Sequence, residues 1–458
     1  MRIIILGAGQ VGATLAEKLS SEDNDITVVD SEVERLRLLQ DRLDIRTLEG
    51  VASHPSVLEQ AGCADSDMLI AVTGSDEINM VACQVASTLF NTPRKIARIR
   101  SPQYQQYATG LFGDDAVPVD VLISPEQLVT AYMEQLLDYP GATELLDFAD
   151  GRVKLVSIRV DTQAPLYRRR LSELSRLLGE VRIRVVAIYR LGEPIHIAGG
   201  TCIEAGDELF FLVAADHVQQ AITRCRGELP PYGRILIAGG GNIGKALAQR
   251  LEARHSVTVI ERNIARCNQI TAELTQTVVV NGSASAADLL EAEGIDRVDL
   301  FCALTNDDEA NIMASMLAKR MGARKVMTII NNPAYIELVE GGVIDIAISP
   351  QQITIGGLLT YVRRGEMARI HSLRHGTAEA LEGVARGNGR NSRLVGRRIV
   401  DLPQPAGVVL GAVVREGQVL IAKGELRIVE GDHLIFFMTN KQSLGAVEKL
   451  FQVGLALF

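Results

Sequence analysis

The sequence predicts an α/β protein built twice in tandem: two doubly wound lobes with parallel sheets, each followed by a small α+β lobe. Three observations predict it. A six-residue glycine pattern, "GAGQVG" at 7–12, returns as "GGGNIG" at 239–244. Short, nearly all-apolar runs such as "RIIILG", "ITVVD", "MLIAVT" and "VDVLIS" alternate with helical stretches such as "NMVACQVASTLF", the pattern of a parallel sheet covered on both faces. Other runs, such as "VKLVSIRV", "VRIRVVAIYR" and "ELFFLV", lie close together and carry turn signals such as "EAGDE".

The glycine pattern is the visible part of a duplication. When Gly7 is laid over Gly239, "ITVVD" ending at Asp30 meets "VTVIE" ending at Glu261, and "EGVAS" meets "NGSAS". "DMLIAVTGSDEINMVACQVAS" likewise meets "DLFCALTNDDEANIMASMLAK". Further on the register slips by a few residues, with "VDVLISPEQL" at 119–128 matching "IDIAISPQQI" at 344–353 and "EAGDELFFLVA" at 204–214 matching "VEGDHLIFFMT" at 429–439. A chain of 458 residues is long enough for this many cores. The expected division is 1–123 and 232–348 for the large lobes, 144–228 and 370–453 for the small ones.

Between each large lobe and its small one, 124–143 and 349–369, a crossover helix is expected. "SPEQLVTAYMEQLL" at 124–137 and "SPQQITIGGLLTYV" at 349–362 each open with Ser-Pro, a helix start. Both are apolar over much of their circumference, which fits packing against a neighbouring lobe; burial within the helix's own lobe is the alternative. "RHGTAEALEGVARGNGRNSR" at 374–393 is rich in Gly and Arg, and its second half reads as a mobile surface loop without a site.

Composition excludes several classes. Acidic residues outnumber basic ones, 56 to 47, which argues against a protein devoted to neutralising nucleic-acid phosphate. Apolar runs such as "ELFFLVAA" at 208–215 are strand-sized, far short of a membrane span. The first apolar run starts at Ile3 and passes directly into glycines, leaving no space for a secretory leader, so the chain reads as cytosolic. Cys63, Cys83, Cys202, Cys225, Cys267 and Cys302 form no close pair and read as buried thiols rather than a zinc or disulfide framework.

Each glycine of the Rossmann-type fingerprint has a distinct task. Gly7 and Gly239 allow the tight turn after the strand, Gly9 and Gly241 let the backbone touch a pyrophosphate, and Gly12 and Gly244 let helix and strand pack closely. The helix that follows presents its N-terminal amides and dipole to an anion. Asp30 and Glu261, at the ends of the second strands, stand where a carboxylate accepts hydrogen bonds from ribose hydroxyls and repels a 2′-phosphate. NAD, ATP, ADP and AMP all meet these requirements, and NADP is disfavoured. Thr73 and Gly74 end the fourth strand, as do Thr305 and Asn306 in the repeat. Arg98 and Arg100 on the fifth strand are candidate phosphate clamps, an exposed or inter-lobe charge being the alternative. The matching "VMTIINN" has no arginine, so the two sites are expected to differ in affinity or preferred nucleotide.

An oxidoreductase would also need a proton-transfer group. None of the nine tyrosines has Lys four residues later, the seven histidines show no H-E-x-x-H motif, and neither a G-x-S-x-G elbow nor a phosphate loop ending in Lys-Ser/Thr is present. Two sensing lobes therefore fit better than one enzyme. A soluble NAD-dependent oxidoreductase is the alternative, with a transcriptional redox sensor behind it.

With these motifs in view, the whole chain resembles the TrkA family, the peripheral nucleotide-binding RCK (regulator of potassium conductance) subunits of bacterial Trk potassium-uptake systems. The resemblance rests on "MRIIILGAGQVG", "DNDITVVD", "AVTGSDEINMVACQVA", "ARIRSP", "GGGNIG", "TNDDEANIM" and "IDIAISPQQ". It implies two RCK units, each an N-lobe and a C-lobe. It implies NAD and NADH as ligands, with ATP and ADP regulatory in some members. It also implies a tetrameric ring on the cytosolic face of a membrane channel subunit of TrkH or TrkG type, gating potassium flux. By the same resemblance the nucleotide residues are Gly7, Ala8, Gly9, Gln10, Val11, Asp30, Thr73, Gly74 and Arg98 in the first half, and Gly239, Gly240, Gly241, Asn242, Ile243 and Glu261 in the second.

Overall fold

A computed structural model describes residues 1–20, 24–113, 115–339, 342–362, 367–373, 377–403 and 405–453. The first apolar runs form strands β1 (Arg2–Leu6), β2 (Asp25–Asp30), β3 (Arg46–Glu49), β4 (Met68–Ala71), β5 (Arg94–Arg98) and β6 (Val121–Ile123). They make one sheet in the order β3-β2-β1-β4-β5-β6 with every pairing parallel. Alternate residues serve opposite faces, which is why the strands are apolar throughout. Ile3, Ile5, Val28 and Ile70 pack with Leu15 and Leu19 on one side, and Ile4, Leu6, Leu69 and Ala71 with Ala82 and Ala86 on the other.

The next strands are antiparallel: β7 (Ala142–Phe148), β8 (Val153–Arg159), β9 (Ile183–Arg190), β10 (Glu193–Pro194) and β11 (Glu208–Ala214), in the order β10-β9-β11-β8-β7. The arrangement then repeats. Strands β12 (Arg234–Ala238), β13 (Ser256–Glu261), β14 (Val278–Asn281), β15 (Leu300–Ala303), β16 (Lys325–Ile329) and β17 (Ile346–Ile348) form a second parallel sheet ordered β14-β13-β12-β15-β16-β17. A second antiparallel sheet, β18-β19-β22-β20-β21, holds β18 (Met367–Leu373), β19 (Ala378–Val384), β20 (Val408–Arg415), β21 (Gln418–Ile421) and β22 (His433–Met438). The duplication is thus complete at the level of strand order.

The turn signals of the small lobes hide a repeated buried ion pair. The fully buried carboxylate of Asp207 accepts from Arg190 Nε and Nη2 at 2.8 Å each and from the Glu204 amide at 2.8 Å. Asp432 does the same with Arg415 and the Val429 amide. Removing either arginine would strand a fully buried carboxylate, an effect of about 3–5 kcal/mol.

By contact the described chain divides into two bodies, 1–129 with 350–362 and 130–349 with 363–458. In the first, the helix Pro350–Val362 packs on the first parallel-sheet lobe, with Ile355, Leu358, Leu359 and Val362 buried beside Leu15, Ala16 and Leu19. In the second, the far half of the helix Pro125–Leu137 and the residue after it pair with the second lobe, Glu134 with Arg250 and Arg254, and Asp138 with Arg254. The second crossover helix therefore seats on the parallel-sheet lobe of the other half, whereas the first divides after Val129, its near turns staying with its own lobe and its far half meeting the second lobe through these ion pairs.

Two expectations are corrected, those on Cys202 and Arg100. Cys202 is exposed, while the other five cysteines are buried. Within 374–393, residues 378–384 form strand β19, residues 385–393 follow it without regular structure, and 374–376 lie outside the described residues. Arg100 lies beyond the end of β5, and its Nε donates to Glu126 Oε1 at 2.9 Å instead of facing the crevice. Among the described residues no helix is long and apolar enough to cross a membrane.

One buried carboxylate has a pH consequence. Glu252, 8% exposed, accepts from the amides of Thr275, Gln276 and Thr277 and from the hydroxyls of Thr275 and Thr277. Burial pushes its carboxyl up, but these donors outweigh burial and hold it down at about 2, against an ordinary 4.5. A depressed carboxyl contributes stability that is complete above the unfolded value and lost as pH falls through the folded one. Glu252→Gln is therefore expected to lower stability at neutral pH by about 2–3 kcal/mol and to flatten the loss between pH 4.5 and 2, read from melting curves against pH.

Candidate nucleotide cradles

The strand order places β1 and β4 side by side with their connections leaving in opposite directions, so a crevice opens at their carboxyl ends. In the first lobe this crevice is a cavity of about 600 Å³, lined among others by Gly7, Gly9, Gln10, Val11, Asp30, Thr73, Gly74 and Arg98. Gly7 has φ +107°, a conformation side chains rarely adopt, and its amide donates to Val29 O at 2.7 Å. A Cβ on Gly12 would sit 1.8 Å from Gly7 O, whereas one on Gly9 would meet nothing within 4 Å. Gly12 is a packing glycine, and Gly9 leaves open space at the mouth of the helix Gln10–Ser20.

Asp30 is 9% exposed and already engaged on both oxygens: Oδ2 accepts from the Ala8 amide at 2.6 Å and Oδ1 from the Glu32 amide at 2.8 Å. Ala8 enters the site through this amide. The carboxylate thus pins the glycine turn to the end of β2, and each oxygen retains lone pairs for a further donor. Glu32 and Arg35, a pair at 2.9 Å, line the same end.

The far wall is built around a fully buried asparagine. Asn79 Oδ1 accepts from the Thr73 amide and hydroxyl at 3.0 and 2.7 Å, and its Nδ2 donates to Arg98 O at 2.8 Å. Asp76 accepts the amides of Arg100 and Ser101. Arg98 Nη2 donates to Thr73 O at 2.9 Å, while its buried Nε finds no acceptor among the described residues. Burial, and next the nearby Arg100, hold the Arg98 guanidinium below its ordinary value, yet an arginine stays charged. The wall therefore presents a half-satisfied cation to the cavity.

The second lobe repeats the frame and changes the fittings. Gly239 has φ +108°, a Cβ on Gly244 would lie 1.9 Å from Gly239 O, and one on Gly241 would meet nothing within 4 Å. Glu261 accepts from the amides of Gly240 and Asn263 at 2.8 Å each. Asn242 and Ile243 open the helix Asn242–Leu251. Asn311 binds Thr305 and Ile329 O as Asn79 binds Thr73 and Arg98 O, so Ile329 stands where Arg98 stood. Charge appears elsewhere: Arg266 Nε donates to Gly240 O at 2.7 Å, and Asn263 replaces Glu32.

Of the first-half residues read from the sequence, Gly7, Gly9, Gln10, Val11, Asp30, Thr73, Gly74 and Arg98 line one crevice, Ala8 touches it only through its amide to Asp30, and Gly12 and Arg100 lie outside it. Asn79 with Asn311 and Asp76 with Asp308 escape a residue-by-residue reading of the sequence, although "TGSDEIN" and "TNDDEAN" share their T, D, E and N. That shared pattern was the available signal.

Two doubly wound glycine-cradle lobes, each followed by a small antiparallel lobe, define a tandem RCK-type protein. A TrkA-N domain model matches residues 3–125 and again 235–350, and a TrkA-C domain model matches 389–452. The chain is 54% identical over 458 residues to the Trk system potassium uptake protein TrkA of Halomonas elongata, covering 100% of each, and 52% identical to that of Vibrio alginolyticus, covering 99% of each. It belongs to the TrkA family. In three dimensions it is similar to the GsuK channel bound to NAD, with TM-score 0.60, 19% identity and coverage of 98% of this chain and 78% of that one. The GsuK RCK domain gives 0.59, 18%, and coverage of 98% and 94%. At such identities the likeness is one of fold.

Proposed function

We propose that the chain is the regulatory subunit of a Trk-type potassium-uptake channel, and that its two cradles are nucleotide sensors. NAD and NADH are the ligands, with ATP and ADP as regulators. The chain assembles as a tetramer on the cytosolic face of a membrane subunit of TrkH or TrkG type and gates its potassium flux. The observation that carries this reading is the repeated glycine turn, pinned by a carboxylate at the end of the second strand and open above Gly9 and Gly241. The GsuK channel with NAD bound, whose fold this chain shares, lends further support.

A ligand gates only by binding two ring shapes unequally, and a coupling of about 1–3 kcal/mol alters opening several-fold or more. In each crevice the residues have separable tasks. Helix amides receive phosphate, Asp30 or Glu261 orients the ribose, and Arg98 adds a cation in the first half alone. Calorimetric titration of the intact chain with NAD, NADH, ATP and ADP is expected to show two sites. Asp30→Ala and Glu261→Ala should each weaken one of them by about tenfold, or about 1.4 kcal/mol. Potassium flux through the membrane subunit that ignores every nucleotide would sink the gating reading; a chain that takes up no nucleotide would sink the sensor reading.

A further inference from the structure

On its outer side the first cradle helix is met by a residue from the other half of the chain. Gln351, in the first turn of the helix Pro350–Val362, donates through Nε2 to Gln10 O at 3.2 Å and to Thr14 Oγ1 at 2.7 Å. Gln10 opens the helix whose N-terminal amides face the cavity, and Thr14 lies one turn further on. One side chain therefore grips the first turn of the phosphate-binding helix from behind.

Behind Gln351 the contact is apolar. Ile355, Leu358, Leu359 and Val362 are buried in the cluster that holds Leu15, Ala16 and Leu19, with Leu128 of the first crossover helix packed against it. A Cβ on Gly357 would come to 3.0 Å from Leu128 Cδ1, so the two crossover helices approach closely there. The matching first-turn residue of the first crossover helix, Glu126, pairs with Arg100, two residues past Arg98. The first cradle thus has one crossover helix fixed to its glycine side and the other fixed behind its arginine side.

We infer that Gln351 is a positioning residue of the first nucleotide cradle supplied by the second half, and that nucleotide in this cradle tightens the seat of the helix Pro350–Val362. The inference rests on the nucleotide reading above. Phosphate bound on the helix amides restrains the first turn, and any restraint on the Gln10 carbonyl is felt at Gln351. By linkage, loosening Gln351 weakens the nucleotide by the same factor. The helix follows β17 by one residue along the chain, so its seat is the route by which the first site reaches the second half.

The test uses the full chain carrying Glu261→Ala, which weakens the second site so that the first is read at low ligand concentration, with NADH as the probe. NADH is expected to slow amide hydrogen exchange in 350–362. Gln351→Leu, which keeps the bulk and removes the donor, should abolish that slowing and weaken NADH three- to tenfold. Thr14→Val, which removes the Thr14 contact and leaves the bond to Gln10 O, should act in the same direction but more weakly, and the double variant should be no worse than Gln351→Leu alone. NADH that binds with heat but leaves exchange in 350–362 unchanged overturns the inference, as does slowing that persists in Gln351→Leu. Absence of NADH heat in the parent chain overturns the nucleotide reading and this inference together. Unliganded melting curves for both variants separate a lost coupling from a lost fold.

Discussion

Gly12→Ala is expected to destabilise the first parallel-sheet lobe by about 3 kcal/mol or more, lower its unfolding midpoint by about 10 °C and abolish nucleotide uptake there. The reason is distance. A carbon and a carbonyl oxygen approach favourably to about 3.3–3.6 Å, and the added methyl would sit 1.8 Å from Gly7 O. Neither group has freedom to yield. Gly7 is held by its amide bond to Val29 O and by a positive φ, and Gly12 is on the buried side of its helix. Relief would require the helix to lift off β1, undoing the packing of Leu15 and Leu19. Gly244→Ala should do the same in the second lobe, with 1.9 Å to Gly239 O. Gly9→Ala is the control: its methyl meets no protein atom, so the melting curve should stay in place while affinity falls, since the methyl enters the space left for the pyrophosphate. A Gly12→Ala protein that melts like its parent would mean the turn relaxes freely, and the close packing of helix on strand would lose its significance.

These glycines were readable in the sequence because each task admits one residue type. A positive φ at Gly7 and a sub-contact distance at Gly12 are covalent and steric demands, and they recur at Gly239 and Gly244 for the same reason. Asp30 and Glu261 were readable by position, at the end of β2 and β13. Asn79 was not, because a fully buried asparagine inside an apolar helix face has no meaning until β4 and β5 are known to bracket it. Arg98 and Arg100 look equivalent along a strand. Only the end of β5 and the position of Glu126 turn one to the cavity and the other away. Gln351 was beyond reach for the opposite reason: its partners are over three hundred residues distant, and no local pattern announces them. The sequence thus reports demands that one residue makes on its own backbone better than demands made across the fold.

Arg98 carries the second large effect. Its Nη2 is satisfied by Thr73 O, yet its Nε is buried without an acceptor among the described residues, an unfavourable arrangement for an isolated lobe. A phosphate in the crevice supplies the missing acceptor and the opposite charge at once, and hydrogen bonds between charged groups are the strong ones. Arg98→Gln is therefore expected to weaken ADP, ATP and NAD at the first site by about a hundredfold, or about 2.7 kcal/mol, and to leave the second site alone, because Ile329 already stands at the matching position. The same substitution should not lower the melting temperature of the nucleotide-free chain, since it removes an unmet buried donor and a costly buried charge. The two readouts together discriminate. Affinity lost with stability kept identifies a cation held in readiness for the ligand. Stability lost with affinity kept would identify Arg98 as a strut between β4 and β5, and the inequality of the two cradles would then have to rest on Arg266, Asn263 and the ribose end of the second site.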